Sequence, residues 1–143
     1  MNEIQLTPDP KLSIVLENIK KSIAEVDDIQ ELNKIHSIAA GFEEAWKKYH
    51  KSSGFGFEQM FLGWETKVRS ERRMGELLPT KIKNGGTAES HDVILEDLGI
   101  SNKQSSRYQI IYKTPEDKFN QKIEELRLSF LEPTTIGLLR SIY

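Results

Sequence analysis

LEDLGISNKQSSRYQ, residues 95–109, decides how this chain is read. Glu96 and Asp97 precede the glycine at 99, and the next acid is Glu116. Between them lie Lys103, Arg107 and Lys113, interleaved with serine, asparagine and glutamine. The punctuation is local and strong. Gly99 suits a helix-ending turn that needs positive φ, because it has no Cβ to clash there. Ser101-Asn102-Lys103-Gln104 fits a capping box, in which Ser101 and Gln104 satisfy each other's backbone donors and open a new helix. Two short helices across a glycine turn describe a helix-turn-helix, whose second helix enters the DNA major groove. In that reading Ile94 and Leu98 face inward, Ile100 plugs the turn and Tyr108 packs the second helix back. Leu95 sits where many such units place alanine, and Ser105 where a branched apolar residue usually packs. The competing reading is an amphipathic helix with a polar outer face.

Working outward, the rest of the chain also carries helical spacing. Leu12, Leu16, Ile19, Ile23 and Val26 recur at steps of four and three, one stripe of an amphipathic helix behind Pro10. Asp27 and Asp28 supply caps for a second helix, whose stripe is Leu32, Ile35, Ala39, Phe42, Trp46 and Tyr49. KSSGFG, residues 51–56, is a turn. A third helix carries Phe57, Phe61, Trp64, Val68, Gly75 and Leu78 and is expected to stop before Pro79. The short connection predicts an antiparallel hairpin. Thr114 is expected to cap the next helix, with Pro115 in its first turn and Phe119, Ile123, Leu126 and Phe130 as its stripe. Pro133 and the threonines after it open a last short helix. The fold class expected is all-α: a helical hairpin with a preceding helix, then a helix-turn-helix unit with two further short helices. KIKNGGTAES, residues 81–90, breaks the period and reads as a linker. It divides an N-terminal helical region, 1–80, from a DNA-binding region, 91–143.

The composition bounds the function. With 143 residues, 37% hydrophobic and 29% charged, the chain can bury one ordinary core or two small helical units. A net charge of −2 argues against coating nucleic acid through overall positive charge, so a local basic patch is what matters. The absence of cysteine excludes disulfides and zinc–thiolate sites. No apolar run approaches the ~20 residues of a membrane span, and the first residues lack a secretory pattern, so a cytoplasmic protein is expected. His36, His50 and His91 lie at no metal-ligand spacing, and no nucleophile elbow, P-loop or framed carboxylate pair is present. No catalytic residue, metal or cofactor is therefore expected, and the protein is not read as an enzyme.

Two blocks, SERRMGELL at 70–78 and LEDLGISNKQSSRYQ followed by TPEDKF at 114–119, resemble a family of small helical proteins of phages and mobile elements. The second block is also similar, more weakly, to the helix-turn-helix of plasmid partition B-type proteins. The resemblance covers about the middle third of the chain and implies DNA binding without an enzymatic activity. The linker is short for that family.

The function expected is double-stranded DNA binding, in a regulator that reads the major groove with the helix after Gly99. Asn102 and Gln104 suit adenine and Arg107 suits guanine. Ser101, Lys103, Ser106 and Lys113 suit phosphates. Arg69, Arg72 and Arg73 share a helix face and form a second candidate phosphate contact; against this stands a solvated face paired to Glu65, Glu71 and Glu76. Two-fold DNA sites imply a homodimer through the apolar N-terminal stripes. The alternative is a small helical protein-interaction module, such as a phage-encoded inhibitor of a host factor.

Overall fold

The computed structural model describes the backbone of residues 7–84 and 95–142, and the side chains of 7–79 and 95–142. Among these residues every regular element is helical, so the fold class is all-α. Helix α1 is Pro10–Ser22, capped by Asp9, whose carboxylate accepts from the Lys11 amide at 2.9 Å. A single 3₁₀ turn, Ile23–Glu25, follows, then α2, Ile29–Ser53, capped by Asp28 through the Gln30 amide. Helix α2 ends at Gly54 in the left-handed conformation, and α3, Phe57–Asn84, returns alongside it. After the turn at Gly99 come α4, Asn102–Lys113, α5, Glu116–Leu128, and α6, Thr135–Ile142.

Helix α3 is the axis of the molecule. It packs against α2 over a long antiparallel seam and against α1, α4 and α5 with its other faces. The α2–α3 seam is tight because Gly63 has no side chain: a Cβ there would lie 2.7 Å from the Glu43 amide nitrogen. Around the lower half of α3 one apolar cluster joins Phe42, Trp46, Phe61 and Trp64 to Ile111, Phe119, Ile123 and Leu138. Around the upper half a second cluster joins Ile29, Leu32, Met74 and Leu78 to Leu95, Ile100 and Tyr108. Both clusters therefore draw residues from either side of segment 81–90.

Three local expectations are corrected. Helix α3 does not stop before Pro79; its backbone runs through the proline to Asn84, into the segment read as linker. The ring removes one i→i−4 hydrogen bond, but fully buried Met74 and Leu78 anchor the preceding turn, and tertiary packing outweighs the local penalty. Thr114 does not cap α5. It ends α4, with its hydroxyl on the Ile110 carbonyl, and Pro115 takes the cap position without a side-chain bond. Leu12, at the head of the first stripe, is half-exposed rather than covered. The start of the helix before Gly99, Ile94 and His91 lie outside the described residues.

Candidate nucleic-acid interface

The turn that introduces α4 is built by backbone bonds. Residues 95–97 are helical, and the Ile100 amide donates to the Leu95 carbonyl at 2.9 Å while the Gly99 amide donates to that of Glu96 at 3.0 Å. These are the two bonds of a Schellman motif, which requires a left-handed residue between them; Gly99 supplies it at φ 71°. The motif's apolar contact is also present, since Leu95 and Ile100 are both buried in the upper cluster. Leu95 thus serves as an anchor of the turn where alanine was the usual occupant, and Leu98 is only half-buried. Asn33 on α2 donates to the Leu98 carbonyl at 2.6 Å and ties the turn to the hairpin.

Helix α4 then starts on a complete capping box: Gln104's amide donates to the Ser101 hydroxyl at 3.0 Å, and Gln104's side chain accepts from the Ser101 amide at 2.9 Å. Ser101 and Gln104, both candidate DNA contacts, are therefore occupied in opening the helix. Ser105, Tyr108 and Ile111 form the buried face. Ser105 does not leave its hydroxyl unmatched, because Gln109 donates to it at 3.0 Å. Burial first, then the nearby Glu71 carboxylate, pushes the Tyr108 hydroxyl up to about 12, with Arg107 opposing. The phenol is consequently neutral at any physiological pH. Glu71 itself is buried, with His36 Nε2 3.2 Å from its Oε2, so His36 sits at the core edge.

What fixes the height of α4 above α3 is Gly75. A Cβ at that position would stand 2.0 Å from the Tyr108 carbonyl oxygen and 2.4 Å from its carbon. The two helix backbones touch there, and only glycine allows it. Helix propensity gives no reason for a glycine in mid-helix, and that mismatch was the one available sequence signal.

The outward face of α4 carries Asn102, Lys103, Ser106 and Lys113, all exposed, with Arg107 half-buried at its margin. Asn102, Ser106 and Lys113 fall along one line of the helix and, with Ser105, Gln109 and Ile110, border a shallow depression. Lys103, Ser106, Arg107 and Lys113 make no side-chain hydrogen bond or ion pair among the described residues. No carboxylate lies on this helix.

The second basic group sits differently. Arg69, Arg72 and Arg73 do come together, in a cleft of about 290 Å³ between α1, α3 and the start of α5, but each is already engaged. Arg69 holds Glu65 at 2.7 Å and Asn120 at 3.0 Å and lies over the Phe119 ring. Arg72 donates to the Thr114 carbonyl at 3.1 Å, closing the end of α4, and rests over Tyr112 and Phe119. Arg73 bonds the Val26 carbonyl, Asp27 and Glu76. Of the acids read as their partners, Glu65 and Glu76 serve, while Glu71 is taken by His36. These arginines bolt the connection before α2, the end of α4 and the start of α5 to α3.

Comparison of the chain with family models, with curated proteins and with solved structures gives no match in any of the three.

Proposed function

We propose that this protein binds double-stranded DNA, with α4 as the helix presented to the major groove. The observation that carries the reading is the outward face of α4: Lys103, Arg107, Lys113 and the Ser106 hydroxyl make no side-chain hydrogen bond or ion pair among the described residues, and no carboxylate stands among them, on a helix whose height and start are set by its packing and its cap. A helix held by a capping box, a Schellman turn and a backbone contact at Gly75 is pre-organised, which is what base readout requires. Lys103 and Lys113 are the phosphate contacts in this scheme, Asn102 and Arg107 the base contacts. Arg69 and Arg72 serve it indirectly, by fixing the start of α5 and the end of α4 in place.

Titration of a labelled random duplex at two salt concentrations tests the proposal. Affinity is expected to fall with salt, and replacing Lys103, Arg107 and Lys113 by alanine together should reduce the slope of log K against log salt by about 2–3. On a duplex selected for tight binding, Arg107→Ala alone should cost ~1–3 kcal/mol and much less on random DNA. Absence of binding at low salt, or a triple variant that binds as the parent does, rejects the reading in favour of the protein-interaction module.

A further inference from the structure

Two apolar rows face solvent across a groove on the side of the molecule formed by α1 and α2. Leu12, Val15 and Ile19 line it from α1, and Ile38, Gly41 and Ala45 from α2, around about 290 Å³ of open space. Both rows follow the i, i+3, i+7 spacing of a helix-docking seam. Leu12, Val15 and Ile38 are each more than 50% exposed, an unusual share of surface for three neighbouring large aliphatics. A Cβ on Gly41 would meet nothing within 4 Å, so the floor of the groove is a hole with a bulky side chain, Ile38, one turn away.

The same exposed face of α2 continues in both directions as Glu31, Lys34, Ile38, Gly41, Ala45 and Lys48, with Glu44 beside it. Among the described residues Glu31, Lys34, Glu44 and Lys48 take part in no ion pair. Their order along the helix is acid, base, apolar centre, acid, base. A second α2 laid antiparallel over the first sets Ile38 against the opposite Gly41, Glu31 against the opposite Lys48 and Lys34 beside the opposite Glu44. A parallel alignment would instead set Lys34 on Lys34 and Glu44 on Glu44. We propose that this face is the seat of a second copy of the chain, in a two-fold, antiparallel α2–α2 dimer in which Ile38 of each copy fills the Gly41 hole of the other. The interface is isologous: one knob, one hole and two pairs of complementary charges occur on each chain, as closed two-fold symmetry requires. Like charges brought face to face oppose pairing, so the charges select the antiparallel arrangement. The inference is independent of DNA binding, and its test contains no DNA.

Sedimentation of the full chain over micromolar concentrations should show a monomer–dimer equilibrium. Ile38→Asp, at an exposed position, should keep the helical circular-dichroism spectrum and give a monomer. Lys34→Glu and Glu44→Lys should each weaken self-association by about tenfold or more, because each sets like charges together. Mixed in equal amounts, these two variants should form a heterodimer, since the charges again alternate across the pair. A chain that stays monomeric at high concentration overturns the proposal. So does a dimer that survives Ile38→Asp, or a mixture of the two charge variants that fails to associate.

Discussion

Replacing Gly75 with alanine puts a methyl carbon 2.0 Å from the Tyr108 carbonyl oxygen, where ordinary contact needs more than 3 Å. The obstacle is helix backbone, not the end of a flexible side chain, so no rotamer change relieves it. Helix α4 must move off α3 by over an ångström, or α3 must bend. Either movement loosens Tyr108, Ile100 and Leu95 in the upper cluster, and strain of this kind costs about 1–3 kcal/mol. Alanine returns up to ~1 kcal/mol through its higher helix propensity. The net expectation is a loss of ~1–2 kcal/mol, or a melting temperature lower by roughly 3–10 °C in a chain of this size. Urea unfolding followed by fluorescence of the buried Trp46 and Trp64 measures it directly. An alanine variant as stable as the parent would mean that the α3 and α4 backbones are not in contact at Gly75, and the positioning argument for α4 would fail with it.

Gly99→Val is expected to destabilise by about 1–2 kcal/mol although its Cβ would meet no neighbour, because the cost lies in the left-handed backbone at φ 71°; an unchanged melting temperature would deny the Schellman turn. Tyr108 gives a pH signature. Its folded value is raised above the ordinary 10.0 of a tyrosine to about 12, so the folded state keeps a proton that the unfolded chain has lost, and stability should fall as pH rises from 10 to 12. Tyr108→Phe should remove that part of the decline, and stability–pH curves of the same slope for the two proteins would contradict the burial of the hydroxyl beside Glu71.

Helix existence and punctuation were written locally. Apolar residues recurring every three or four positions announced α1, α2 and α3, because that spacing is the helix's own period and needs no distant partner. Ser101, Gln104 and Gly99 announced the capping box and the turn for the same reason: the bonds they make lie within five residues. These signals act over one or two turns, so one strand of sequence is enough to carry them. The buried side of α4 was legible in part, through Tyr108 and the packing position held by Ser105; the burial of Ile111 came with the structure.

What the tertiary structure alone decided is which of those groups are free. Arg69, Arg72 and Arg73 look in sequence like Lys103, Arg107 and Lys113, but their partners Asn120, Thr114 and Val26 stand 51, 42 and 47 residues away, and only the packed fold brings them within bonding distance. Pro79 stops a helix by local rules, and buried Met74 and Leu78 override it through contacts that exist only once α2 and α3 have paired. Gly75 reads as a weak spot until α4 lies across it. Leu12 obeys an apolar period and yet stays exposed, because burial depends on what the rest of the chain covers, and periodicity within one helix carries no information about that.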